Sequence, residues 1–296
     1  MTDWFIKYPK IKRLGHEETK GIWDGKVIVE EKIDGANFRF AYDPISGRAI
    51  WGTRNVSYAT VPEERWPKRF EKQWRWVLEH RDSLRPGYIY FAEAVIPHTI
   101  QYDWNRFPAP LIGFDVWDIK EERFVPYPKN KEMFEGIGLP FVPVVEVLNG
   151  KPSVEEFEKL VPKSQFYDGT AEGVVLKNYD NGIFAKILSE KFIEANRLVF
   201  GKSKKEIKDE TEKWFEYLFS PRRIEKTIER LVDEGHKLSM AIMRDLIYEV
   251  MKDAMEEEGF EFISKASAVD VRRMRKLLSR RCQNILQRYI AMESLK

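Results

Sequence analysis

Glu31-Lys32-Ile33-Asp34-Gly35-Ala36-Asn37-Phe38 sets one lysine between an apolar run and a glycine turn, with acids and an amide beside it. Upstream, Val27-Ile28-Val29 reads as a short buried strand entering the stretch. Downstream, Asn37-Phe38-Arg39-Phe40-Ala41-Tyr42 alternates polar and apolar, the period of a half-buried strand. Lys32 therefore stands where a strand delivers a side chain into a pocket. A lysine there becomes a nucleophile when burial or cationic neighbours lower its pKa. Lys-x-Asp-Gly is a short pattern that a surface lysine before a hairpin also satisfies, so the rest of the chain has to decide.

The segments on either side continue the strand-rich reading. Asp43-Pro44-Ile45-Ser46-Gly47 is a turn between strands. Residues 63–80 are expected to form a helix with Trp66, Phe70, Trp74 and Val77 on one face. Tyr88 to Ala94 and Leu111 to Trp117 read as strands, and Ser153-Val154-Glu155-Glu156 as a capping box. Glu172 to Lys177 and Ile183 to Lys186 read as a strand pair around Asp180-Asn181-Gly182. Gly201-Lys202-Ser203-Lys204-Lys205 looks like a boundary, and everything beyond it is helical. One helix is capped by Ser220-Pro221 and ended by Gly235, a second runs to about Gly259, and a third starts near Ser267. The expected architecture is an α+β body over residues 1–200, followed by an all-helical domain over 201–296.

The third helix carries an apolar stripe of Val271, Met274, Leu278, Cys282, Ile285 and Tyr289. Its basic stripe of Arg272, Arg273, Lys276 and Arg280 is either a solvated face or a phosphate-contacting one. Cys282 is expected to be a small core residue.

At 296 residues, 43% hydrophobic and 14% aromatic, the chain is globular and long enough for two cores. No apolar run is long enough to span a membrane, and none follows the start as a secretory signal would. A soluble, cytoplasmic protein is expected. One cysteine and four scattered histidines exclude a disulfide framework, a multi-thiolate zinc site and a histidine cage. A net charge of +2 means that any nucleic-acid surface must be local.

Lys32, Asn37, Arg54, Glu93, Asp115, Glu172, Lys177 and Lys186 all fall on or beside predicted strands. Strand cores avoid unpaired charge, so charged groups on this many strands imply a polar cleft. Lysine and arginine with carboxylates suit a polyphosphate and its magnesium. No Walker loop and no Gly-x-Gly-x-x-Gly is present, so side chains must do the phosphate work.

With these residues assembled, the chain resembles the covalent nucleotidyltransferases, which include DNA ligases, RNA ligases and mRNA capping enzymes. The Gly-Ala-Asn-Phe half of the first stretch is most similar to RNA ligases of the phage double-strand-sealing type, the RNA ligase 2 family. Further motifs follow in order: Thr53-Arg54-Asn55, Tyr90-Phe91-Ala92-Glu93, Ile112 to Asp118 with the upstream His98 to Tyr102, Glu172 to Lys177, and Phe184-Ala185-Lys186. The match spans roughly residues 25–190. A helical tail also fits this type better than DNA ligases or capping enzymes, which usually carry a β-barrel there.

The resemblance implies an antiparallel-sheet nucleotidyltransferase body of ATP-grasp-like form. It implies an ATP-dependent RNA ligase acting in RNA repair, with AMP held covalently on Lys32 and Mg²⁺ or Mn²⁺ as metal. The partner is RNA with 5′-phosphate and 3′-OH ends. Lys32, Glu172, Lys177 and Lys186 become the catalytic set. Glu31, Asn37, Arg54, Glu93, Phe114, Lys177 and Lys186 contact the nucleotide, Glu93 through its ribose, Phe114 by stacking on adenine and Glu31 through backbone that reads the base edge. Glu172 and Asp34 are metal candidates, and Lys177, Lys186 and Arg54 are expected to keep Lys32 uncharged. Phe184 departs from the family, where a lysine is common; Lys177 is expected to make up the missing charge. The rivals are a DNA ligase, a GTP-using capping-type enzyme and a non-catalytic RNA-binding module.

Overall fold

The computed structural model describes residues 4–97, 100–153, 156–157, 159–189 and 209–293. The chain divides into two units, Met1–Phe192 and Ile193–Lys296. The boundary expected at Gly201 to Lys205 lies outside the described residues, as do His98-Thr99 and Val154-Glu155.

In the first unit, alternation builds two sheets whose inner faces meet. One sheet consists of β1 (Lys12–Arg13), β2 (Lys26–Lys32), β8 (Val144–Asn149), β9 (Gly173–Asn178) and β10 (Ile183–Leu188), in the order β1-β10-β9-β2-β8. Only the β1–β10 pair is parallel. Val27, Val29, Val174, Leu176 and Ala185 fill its outer core. Period two then turns Glu30, Lys32, Lys177, Phe184 and Lys186 to the inner face.

The other sheet consists of β3 (Ala36–Asp43), β4 (Arg48–Thr53), β5 (Tyr88–Ala94), β6 (Leu111–Asp118) and β7 (Arg123–Phe124), in the order β4-β3-β5-β6-β7. Phe38 stacks on Trp51 at 5.1 Å and Phe40 on Tyr90 at 5.4 Å, so aromatic pairs form its outer core. Asn37, Arg39 and Ala41 turn inward by the same alternation. The N-terminal segment adds Phe5 and Tyr8 to the inner cluster with Ala41, Ile50, Ile89 and Phe91.

The helix expected over 63–80 is shorter. Two 3₁₀ turns, Glu63–Arg65 and Lys68–Phe70, precede α1 (Glu71–Glu79). Pro67 is the cause: it lacks an N–H and pushes the residue before it out of the helical region, and Trp66 is extended at φ −71° and ψ 137°. The apolar face survives, with Phe70 and Val77 buried and Trp66 packed edge-on to Trp74. A further helix, α2 (Lys129–Gly136), buries Met133 and Phe134. At Ser153 the backbone N–H donates to Glu156 and the hydroxyl accepts from the Glu156 N–H, the reciprocal bonds of a capping box.

The second unit packs α3 (Glu210–Leu218), α4 (Pro221–Asp233), α5 (Met243–Lys265) and α6 (Val271–Glu293) around its own core. The Ser220 hydroxyl accepts from the Arg223 N–H, Pro221 opens α4, and Gly235 at φ +96° follows its end. Gly259 does not stop α5, which continues to Lys265. Met274, Leu278, Cys282 and Ile285 are buried as the stripe requires, and Val271 at its head is exposed. Burial pushes the Cys282 thiol up to about 12. Of the basic stripe, Arg273 is spent on Asp209 and Glu212. Among the described residues no helix is long and apolar enough to cross a membrane.

Candidate active site

Lys32 closes β2, and the turn after it runs against β5. A Cβ on Gly35 would stand 2.4 Å from the Ala94 carbonyl oxygen and 2.8 Å from Glu93 Cγ, so only glycine lets the turn approach this closely. Asp34 shapes the same turn. Its carboxylate accepts from the Ile100 N–H at 2.8 Å, and its own N–H donates to the Tyr102 hydroxyl at 2.8 Å. Asp34 is thus a buried anchor of the turn.

The Lys32 ammonium donates to Glu172 Oε2 at 2.8 Å. Burial pushes its pKa down, but Glu172, Glu93 and Asp34 together carry it above the ordinary lysine value. The expectation that cations keep this amine neutral is therefore corrected: carboxylates surround it and favour its ammonium form. Glu93 faces Asn37 across β5 and β3. Asn37 Oδ1 and Arg54 Nε are buried without hydrogen-bond partners.

Below Lys32 lies a drier cluster. Lys177 is 1% exposed, 2.6 Å from Glu30 Oε2 and 2.8 Å from Asp115 Oδ2, and it donates to the Phe114 carbonyl at 2.7 Å. The Tyr8 and Tyr179 hydroxyls donate to Asp115 at 2.6 and 2.7 Å. Burial pushes Glu30 up to about 8, the Lys177 ammonium offsetting only part of this. Lys177 stays above its ordinary value despite burial, because Asp115 and Glu30 hold its proton. One ammonium thus faces two carboxylates.

Phe184 is the direct cross-strand partner of Lys177, and Lys177 Nζ lies 5.9 Å from its ring. The expected compensation for Phe184 does not hold, because the Lys177 charge is already matched by Glu30 and Asp115. Lys186 lies opposite Val175, and so does Glu30 from the other side, which lines all three up on the inner face. Phe114 is half-buried, with its ring 4.9 Å from that of Tyr8. The Glu31 side chain points to the other face, where it accepts from Ser164 Oγ at 2.6 Å, and its N–H donates to the Pro143 carbonyl.

Sequence reasoning singled out Asp115 without a role and missed Tyr8, Glu30 and Tyr179. Glu30 carries a signal, an acid inside a run of buried strand residues. Tyr8 lies far from every motif and carries none.

Two antiparallel-rich sheets thus hold a strand-end lysine among carboxylates on their facing inner sides. A sequence model described as RNA ligase matches residues 25–188, and the chain belongs to that family. The chain is also similar in fold to the Naegleria gruberi RNA ligase solved with PPi, at 18% identity and a TM-score of 0.51. Structures of that protein's alanine mutants with ATP and Mn, and with AMP and Mn, match at 17% identity and a TM-score of 0.51 each. The similarity covers 64% of this chain and 58% of the PPi-bound chain, so this chain spans little more than half the length of that relative. No curated protein gives a significant match.

Proposed function

We propose that this protein is an ATP-dependent RNA ligase that joins 3′-OH and 5′-phosphate ends through lysyl-AMP and an RNA-adenylate. The observation that carries this reading is Lys32 at a strand end, in contact with Glu172, inside the matched family region. Lys32 Nζ forms a bond to the α-phosphorus of ATP while the α–β P–O bond breaks and pyrophosphate leaves. Before that, the ammonium must shed a proton, and Glu172 at 2.8 Å is the nearest acceptor. The P–N bond next breaks as the strand's 5′-phosphate takes the adenylyl group. The 3′-hydroxyl then attacks that phosphate and expels AMP.

Lys186 and Arg54 neutralise charge that builds on phosphate oxygens. Asn37 contacts AMP or the strand's phosphate, Glu93 the ribose and Phe114 the adenine. Lys177 acts indirectly: it fixes Phe114 and Asp115 by pairing below them. Among the described residues no three metal-binding side chains converge. The hard oxygen donor Glu172 fits Mg²⁺ or Mn²⁺, which fill most of their shell with phosphate and water oxygens. Such an ion would supply charge neutralisation at the phosphates.

The test is a denaturing gel after incubation with labelled ATP or GTP and magnesium. Label from ATP on the wild type, and none on Lys32→Ala, is expected. Transfer from GTP alone would move the protein to the capping class. A Lys32→Ala protein labelled at full yield would end the assignment. Nicked RNA against nicked DNA duplexes then separates the strand preference.

A further inference from the structure

Arg39 is a residue that the motifs and the proposed chemistry leave unused. It sits in mid-strand on β3, 4% exposed, and its Nε and Nη1 have no hydrogen-bond partner. No ion pair forms to it among the described residues. Its one charge-directed contact is the Phe5 ring, 4.7 Å from Cζ. That ring covers one face of the guanidinium and leaves the in-plane N–H donors over.

A buried guanidinium without a counter-charge is costly, and proteins ordinarily pair it. Here the surroundings make room for it. A Cβ on Gly52, the direct cross-strand partner of Arg39, would stand 3.1 Å from Arg39 Nε and 2.5 Å from the Val56 carbonyl oxygen. The two neighbours on the same inner face are also unsatisfied: Asn37 two residues before it, and Arg54 just past the end of β4. Two guanidiniums with spare N–H donors therefore lie on one face, with no carboxylate bonded to them, while the atom left over on Asn37 is the acceptor Oδ1. Burial alone already pulls the Arg39 pKa down to about 10, which marks the missing counter-charge.

We propose that Arg39, with Arg54, forms a phosphate-binding site on the inner face of the β3–β4 ribbon, the unpartnered guanidinium awaiting a phosphate group. This rests on the ligase reading for the identity of its ligand. Two sources offer the same chemistry: the pyrophosphate portion of ATP and the 5′-phosphate of the strand to be joined. A guanidinium suits either, because its planar fork matches phosphate oxygens in plane while the Phe5 ring keeps the face.

The test measures binding alone, so it does not depend on turnover. Inorganic pyrophosphate is titrated calorimetrically into wild type, Arg39→Gln, Arg39→Lys and Phe5→Leu. Nicked RNA duplexes ending in 5′-phosphate or 5′-hydroxyl are compared on the same proteins, and thermal melts serve as controls. Arg39→Gln is expected to weaken pyrophosphate, or the preference for the 5′-phosphate end, about tenfold, the scale of one charge-assisted contact. The affected arm names the source. Arg39→Lys should recover part of the loss. Phe5→Leu should lower the melting temperature while keeping phosphate affinity. The proposal is overturned if Arg39→Gln leaves both arms unchanged. It is also overturned if Arg39→Gln lowers phosphate- and hydroxyl-ended binding equally along with the melt, which is the pattern of a mere anchor for Phe5. Adduct formation by the wild type is scored separately, so the ligase reading can fail or stand on its own.

Discussion

In the proposed reaction the amine that attacks phosphorus is the one held by carboxylates. Burial lowers the Lys32 pKa, but Glu172, Glu93 and Asp34 raise it further, so adduct formation should speed up as pH rises toward the ordinary lysine range. Initial rates of label incorporation between neutral and alkaline pH check this; a flat profile would mean that the bound state has already stripped the proton. Glu30 gives the opposite sign for stability. Its folded pKa of about 8 lies above the usual carboxylate value, so the folded state holds a proton that the unfolded chain has lost. Stability should fall as pH rises from about 4.5 to about 8, with a limiting slope of about 1.4 kcal/mol per pH unit. Glu30→Gln should flatten that slope in denaturant titrations. Lys177→Met is expected to cost about 3–5 kcal/mol, because it leaves Asp115 and Glu30 buried without their cation. Lys32 was legible at this scale because a strand followed by Gly-Ala-Asn is a local pattern. The ring of acids around it was not, since Glu172 lies 140 positions away and only the fold brings it within 2.8 Å.

At the scale of elements, close approach and capping decide the local geometry. Gly35→Ala would press a methyl into the β5 backbone, and we expect it to reduce adduct formation by more than it lowers melting, because the turn that carries Lys32 must retreat. Both are measured on the same preparation. Ser220→Ala removes the hydroxyl that accepts from Arg223 and should cost about 1 kcal/mol by chemical denaturation. Strands that alternate cleanly, such as β3, were legible from period alone. The helix expected over 63–80 was too long because its apolar spacing outweighed Pro67 in the reading, whereas sterics let the proline win. The N-terminal segment was not legible either: Phe5 and Tyr8 carry no periodicity, and their places come from the inner cluster they complete.

For the whole molecule, each unit has a core of its own. A chain ended near Gly201 should therefore retain most of its ATP labelling while losing much more of its end joining, a comparison of two gel assays on one protein. Equal loss of both would make the helical unit a stabiliser only. The division into a strand-rich body and a helical remainder was legible because hydrophobic period shifts from two to about three and a half along the chain. The meeting of the two sheets was not, since it depends on groups scattered from Tyr8 to Phe184.

The bond set around Lys177 has one more consequence. It ties Glu30 and Lys177 of one sheet to Asp115 of the other at the floor of the cleft. Prying the layers apart would strand Asp115 in a half-dry gap without its cation. The layer that carries Asp115 cannot stand alone without inheriting unmatched charge, so the body should come apart as one cooperative event, and a fragment holding that layer alone should have no native state of its own.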